Sequence, residues 1–311
     1  VVVQDGPDSI QVTASAGVAT FPVEDATIDD VTAFADVALY QAKDEGRNQE
    51  KLYDPAQGGR ELISALQRTR TTIVSAIESD RIILFRQPIF AISDPEPAMY
   101  EVLVRFESED GEIISPSEFI PEAEALDLIQ QIDERVIELT FQRWKQFHDA
   151  GQDLRLTVNV SARSVGDQFG NFIVDRATAL GVPPERIIVE ITETATIRSG
   201  GHTVAFSERL SDAGFQLAID DFGSGTTSLK QLKSLEFDYV KLDGSLVRNL
   251  KSEAADREFV RAVAALVHGL GVQIVAEFVQ DQETLDRDLQ HVARPGKEPV
   301  HFQEFALHTK I

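Results

Sequence analysis

The 311 residues carry 29 Lys and Arg against 52 Asp and Glu, a formal charge of −23, with 42% apolar residues and no cysteine. Such a chain reads as soluble and globular, long enough for one large domain or two ordinary ones, and its acidity excludes DNA, RNA polymers and anionic membranes as partners. The missing cysteine excludes disulfides, thiolate nucleophiles and zinc–thiolate sites, while a small anionic ligand stays open because a metal ion and local cations invert the field inside a pocket.

No apolar run is long enough to cross a bilayer and no signal peptide is read, so a cytoplasmic location is expected, with an upstream membrane tether in a longer parent left open. Residues 10–21, IQVTASAGVATF, read as a strand, and Thr27 opens an expected capping box with Asp30. Val31, Phe34, Ala35, Ala38, Leu39 and Ala42 then recur at helical spacing, with Gly46 as the stop. The words SAGVATFP and ADVALYQAKDEGRN resemble the C-terminal half of a GGDEF, or diguanylate cyclase, domain. The half that bears the GGDEF signature does not occur in these residues, so 1–49 are expected to be an inactive α+β fragment whose remaining portion, or an upstream sensor, lies outside this chain. Residues 50–80, with Pro55 and the Gly58-Gly59 pair, read as a linker passing into a helix through Leu62, Leu66, Ile73 and Ile77.

From residue 81 a rhythm begins: apolar runs at 82–92, 99–105, 154–160, 186–191, 215–219, 239–242, 272–276 and, weakly, 300–305. Most are separated by helical stretches, the clearest holding Ile129, Ile132, Val136, Phe141, Trp144 and Phe147. Eight strands alternating with helices predict an α/β fold, a (β/α)8 TIM-like barrel, with a doubly wound open sheet as the alternative.

A barrel collects its chemistry where strands end. Glu101, Asn159, Glu190, Asp220, Asp221, Lys241 and Glu277 each lie in or directly after an apolar run, where a lone charge is costly to bury. Each has an ordinary explanation by itself: an edge-strand acid, a turn former, a helix cap, a surface cation. Asp220 and Asp221 are adjacent, so within a regular strand they would point to opposite faces; at the strand's end they either cap a turn or face cations together. Jointly, hard oxygen donors without soft ligands are what Mg2+ or Mn2+ prefers.

The words Gln87-Pro88-Ile89, Tyr100-Glu101-Val102-Leu103-Val104-Arg105, Phe119-Ile120-Pro121, Val158-Asn159-Val160-Ser161-Ala162-Arg163, Glu190-Ile191-Thr192-Glu193, Asp220-Asp221-Phe222-Gly223-Ser224-Gly225, Lys241-Leu242-Asp243 and Val275-Ala276-Glu277 are similar in order and spacing to the EAL domain, the phosphodiesterase of cyclic di-GMP. The resemblance spans about 200 residues of the expected 81–311 domain and implies hydrolysis to linear pGpG in bacterial second-messenger signalling, with little activity without metal. It implies that Glu101, Asn159, Glu190 and Asp220 hold a first metal and Asp221 a second, that Lys241 orients the attacking water, and that Glu277 serves as base or second-metal support. Gln87, Leu103, Arg105, Pro121, Asp243, Phe278 and Gln303 are the implied substrate-binding residues; Glu193 is the implied anchor of loop 222–228, which links metal occupancy to dimer contacts.

Four departures stand out. Val102 replaces the family's Ala, Thr226 its usual Tyr, and Glu277-Phe278-Val279-Gln280 its Glu-Gly-Val-Glu word; beyond residue 289 the match fails, which leaves the eighth strand atypical. They feed an alternative, a cyclic di-GMP receptor that does not cleave its ligand. A Mg2+ barrel enzyme acting on another phosphoester suits the geometry but not the words.

Overall fold

The computed structural model describes residues 2–5, 8–11, 13–20, 28–46, 48–54, 59–92, 94, 96–108, 110–198, 200–223, 235–248, 254–279, 300–304 and 309–311. Thr27, Pro55, Gly58, Ser224, Gly225, Thr226 and Gln280 lie outside these residues, as does the atypical stretch up to residue 299. The chain divides into two units, one of residues 1–81 and 114–128, the other of residues 82–113 and 129–311.

In the first unit, β1 (Val2–Asp5) and β2 (Asp8–Gln11) form an antiparallel hairpin, and β3 (Ala16–Val18) pairs in parallel with β4 (Glu50–Leu52) after the crossover helix α1 (Ile28–Asp44). The single strand expected over 10–21 is therefore interrupted: β2 ends at Gln11, and Ser15 is occupied in accepting the Asn48 amide rather than in a ladder. Gly17 lets β3 approach α1 closely, since a Cβ there would overlap the Ala35 carbonyl and the Leu39 backbone. Phe34, Val37, Ala38 and Tyr53 form the core, with the Phe34 and Tyr53 rings stacked at 4.3 Å. Helix α2 (Gly59–Glu78) follows, burying Ile73 and Ala76, and α3 (Pro116–Ala125) completes the unit. Tyr40 donates to Glu122 at 3.1 Å, and Lys43 pairs with Asp127 just past the end of α3.

The second unit is a closed barrel. Its described strands are β5 (Ile82–Ala91), β6 (Pro97–Glu107), β8 (Leu156–Val160), β9 (Ile187–Thr192), β10 (Gln216–Phe222), β11 (Tyr239–Leu242), β12 (Gln273–Val279) and β13 (Val300–Glu304), in that order around the barrel, with β13 returning to β5. The two-residue β7 (Ile113–Ile114) and β14 (Thr309–Lys310) add short pieces. All eight expected runs are strands, and the β5–β6 and β5–β13 pairings close the sheet, which rules out the doubly wound alternative. One detail departs from a simple alternation: β5 runs antiparallel to both neighbours. Only residues 92–96 separate β5 from β6, too few for a crossover helix, so the chain must turn back as a hairpin.

Outside the barrel run α4 (Ile129–Asp149), α5 (Asp167–Leu180), α6 (Glu193–Arg198), α7 (Gly200–Asp212), α8 (Gly244–Arg248) and α9 (Ala254–Gly269). The period of two along each strand sorts its side chains. Val240, Leu242, Ile274 and Ala276 face outward and pack with Val260, Ala264 and Val267 of α9. Ile89, Met99, Ile188, Ala218, Tyr239 and Val275 face inward and fill the barrel as one layer. Burial of side chains of this kind contributes about 1.5–3 kcal/mol each.

Candidate active site

Two residues beyond the inward apolar layer lies a charged one. Met99 leads to Glu101, Thr157 to Asn159, Ile188 to Glu190, Ala218 to Asp220, Tyr239 to Lys241 and Val275 to Glu277, each pair on one strand and one face. The same pleat that fills the barrel therefore raises a polar ring at its C-terminal mouth. Lys241 stands at the centre, with 1% of its surface exposed. Its Nζ lies 2.8 Å from Glu190 Oε2, 2.8 Å from Glu277 Oε1, 3.2 Å from Glu101 Oε2 and 3.3 Å from Asp220 Oδ1. Asn159 Nδ2 donates to Glu101 Oε1 at 2.7 Å, which fixes the amide with its oxygen turned away from that bond.

The adjacent aspartates are resolved by a bulge. From Ile219 to Phe222 β10 advances three residues while its partner β11 advances two, from Val240 to Leu242, and Asp221 takes a φ of 55°. Asp is among the side chains that tolerate the left-handed region. The extra residue breaks the alternation, so carboxylate oxygens of Asp220, Asp221 and Glu277 lie within 4.8 Å of one another. A second bulge lies across Lys241: from Ala276 to Val279 β12 advances three residues against two on β13, and Phe278 has a φ of 54°.

Five carboxylates around one ammonium leave an excess of negative charge. Burial pushes the Glu190 carboxyl well up against the pull of Lys241, with Glu101 and Asp220 adding to the rise. Burial likewise lifts Glu277 to about 7, Lys241 opposing and Asp220 and Glu101 assisting. Asp221 is raised by burial, then by Asp220 and Asp243. For Lys241 burial acts downward, but the summed field of Asp220, Glu101, Glu190 and Glu277 holds it well above its ordinary value. Carboxylates destabilised by one another, close enough to share an ion and free of soft donors, fit a hard divalent cation.

Around this ring, Gln87 and Glu101 are directly paired across β5 and β6, so they share a face, as do Leu103 and Arg105 further along β6. Arg105 lies over the Phe85 ring, 5.8 Å from its centre. Asp243 accepts the Ser245 amide at 2.9 Å and the Ser245 hydroxyl, capping the start of α8. Glu193 is buried and accepts the Gly223 amide at 2.8 Å, at the head of the expected loop; the rest of that loop, residues 224–228, lies outside the described residues. Pro121 sits inside α3 of the first unit. Gln303 is on β13 opposite Ile89, with its side chain outside the described residues.

Two supports escaped the sequence reading. Asp133 of α4 accepts the Ser161 amide at 3.1 Å and the Ser164 hydroxyl at 2.5 Å, pinning the turn that follows Asn159. An acid among Ile129, Ile132 and Val136 on the apolar face of a helix was the available signal, because a buried carboxylate needs partners. Beneath the ring, Arg155 donates to the Tyr239 hydroxyl at 2.8 Å and to Gln216. Among the described residues no helix is long and apolar enough to cross a membrane.

Comparison with known proteins identifies the family. The EAL domain profile matches residues 70–290, and that of the diguanylate cyclase, GGDEF domain matches residues 2–49. The cyclic di-GMP phosphodiesterase PdeB of Shewanella oneidensis is 33% identical over 255 residues, 81% of this chain and 30% of that protein. The cyclic di-GMP phosphodiesterase NbdA of Pseudomonas aeruginosa is 30% identical over 283 residues, 89% of this chain and 35% of that protein. The chain thus spans about a third of the length of these curated relatives. The solved PaMucR phosphodiesterase in complex with c-di-GMP is 28% identical and superposes with a TM-score of 0.70 over 76% of this chain and 95% of that one. With that profile covering most of the sequence and the barrel on which its words converge, the chain belongs to the EAL domain family and carries a short GGDEF fragment at its N-terminus.

Proposed function

We propose that this chain is a metal-dependent phosphodiesterase that opens cyclic di-GMP to linear pGpG. The observation that carries the reading is Lys241 Nζ within 3.3 Å of carboxylates from four different strands, beside an Asp220–Asp221–Glu277 cluster able to share an ion. Glu101, Asn159, Glu190 and Asp220 would hold one Mg2+ or Mn2+, and Asp221 with Glu277 a second. Bound there, such ions supply an acidified water nucleophile and neutralise charge on the attacking and leaving oxygens.

The protein's own groups do the rest. Lys241 stays protonated at neutral pH, so its ammonium orients the incoming water and offsets phosphate charge in a chain whose net charge is −23. Glu277, pushed up to about 7 by burial, would be held ionised by the second ion together with Lys241. Gln87, Leu103 and Arg105, on the face that bears Glu101, would line the nucleotide pocket with Asp243. Glu193, accepting the Gly223 amide, would anchor the head of the loop by which metal occupancy is read out at a homodimer contact.

The test is incubation of the purified chain with cyclic di-GMP in Mn2+, Mg2+, Ca2+ or EDTA, with the products separated. Cleavage to pGpG in Mn2+ and Mg2+ is expected, with suppression in Ca2+, whose longer, looser coordination suits in-line displacement poorly. Equal rates in Ca2+ or EDTA would remove the metal mechanism. Tight binding without cleavage would instead favour the receptor reading.

A further inference from the structure

The two bulges that flank Lys241 are equivalent in backbone and opposite in chemistry. In each, the first residue reaches Lys241: Asp220 at 3.3 Å in β10 and Glu277 at 2.8 Å in β12. In each, the second residue is left-handed: Asp221 at φ 55° and Phe278 at φ 54°. An aspartate enters that region with modest strain, whereas a bulky aromatic does so only where its surroundings over-determine it. Those surroundings are visible. The Phe278 ring lies against the bare face of Gly244, the first residue of α8, where a Cβ would come within 2.8 Å of the ring's Cγ and 2.9 Å of its Cε2. The Arg248 guanidinium covers the ring at 4.6 Å from its centre, and Arg248 Nε donates to the Gly244 carbonyl at 3.3 Å.

We propose that Phe278 is a positioning residue: clamped between Gly244 and Arg248, its ring locks the β12 bulge to α8 and so holds the Glu277 carboxylate beside Lys241 and the Asp220–Asp221 pair. Helix α8 begins two residues after Leu242, so the element that seats the ring is tied covalently to the strand bearing Lys241. A glycine at 278 would accept the φ without strain but would leave the bulge unanchored. The ring provides the anchor and restricts which residue position 244 accepts. A ring engaged in this way serves the backbone beneath Glu277 rather than a guanine base. The inference rests on the metal reading of this site, because the consequence of a loosened Glu277 is a loosened ion.

The experiment is a double-mutant cycle on the intact chain, read by Mn2+ titration calorimetry, by thermal denaturation in EDTA and by the split between kcat and KM. Phe278→Ala is expected to weaken Mn2+ binding by about 10-fold or more, the range of a support residue behind a metal ligand, and to lower kcat more than it raises KM. Gly244→Ala, whose methyl displaces the ring, should do the same, and Phe278→Tyr should bind Mn2+ like the parent. The double variant should bind no more weakly than Phe278→Ala alone, since the ring that the methyl would displace is already gone; that non-additivity isolates the contact. Unchanged Mn2+ affinity in a folded Phe278→Ala or Gly244→Ala variant would overturn the proposal, as would additive losses, even if both variants melt earlier. Failure of the unmodified chain to bind Mn2+ would overturn the metal reading itself, and this inference with it.

Discussion

Lys241 carries the electrostatics of the mouth. It is the ammonium that Glu101, Glu190, Asp220 and Glu277 share, and with 1% of its surface exposed it has no access to solvent charge. Replacing it by Met, of similar length, removes the counter-charge while keeping the volume. Lys241→Met is expected to lose about 3–5 kcal/mol in EDTA, the cost of leaving buried charge uncompensated, and to recover part of it in Mn2+. Melting temperatures measured with and without the ion check this; an unchanged melt in EDTA would show that the carboxylates are already neutral. Glu101→Ala and Asp220→Ala have the opposite balance, each relieving like-charge repulsion. Both should abolish pGpG formation, seen by product chromatography, while the fold stays largely intact, and turnover persisting in both would remove the metal mechanism. The asymmetry between the three variants is what a binding site in excess negative charge demands.

At the scale of elements, the barrel strands divide their length between holding the fold and presenting chemistry. On β11, Tyr239 fills the inner layer, Val240 and Leu242 pack outward, and Lys241 alone is spent on the mouth. On β13 the inward residue beside Val275 is His301, 4% exposed and edge-on to the Tyr239 ring at 6.0 Å. Burial, with Arg155 adding repulsion, lowers its pKa to about 4. The unfolded chain therefore takes up a proton near pH 6.5 that the folded barrel refuses until about pH 4. Stability from this group is full above pH 6.5 and is lost as pH falls through that window, by roughly 3 kcal/mol in all at about 1.4 kcal/mol per unit. Urea unfolding of the parent and of His301→Leu at pH 7 and pH 4.5 checks this. The difference between the two slopes isolates His301 from Glu277, Glu190 and Asp221, whose raised values act in the other direction.

At the scale of the molecule, closure decides whether the ring exists. Strand β13 is the only described link between β12 and β5, so ending the chain at residue 299 would leave two open edges. That truncation is expected to abolish the cooperative melt and to expose apolar surface to a hydrophobic dye; a cooperative transition near that of the full chain would show that closure is dispensable. The eight strands were legible because each is a short apolar run bounded by polar residues, and the members of the polar ring were legible because a charged or amide side chain in such a run is anomalous. The antiparallel β5 was legible only in the shortness of residues 92–96, and Asp133 only as an acid on an apolar helix face. The bulges were not legible, because whether Asp221 and Phe278 adopt positive φ depends on which strand each pairs with and what each side chain rests upon. The amino-acid order by itself determined the strands, the inward period of two and the residues that occupy the mouth, all consequences of local pattern. Only the tertiary structure decided that Asp220 and Asp221 share one side, that Lys241 lies among four acids and that Phe278 rests on Gly244, because each of these is a contact between segments distant in the chain or a break in the local period that the closed barrel imposes.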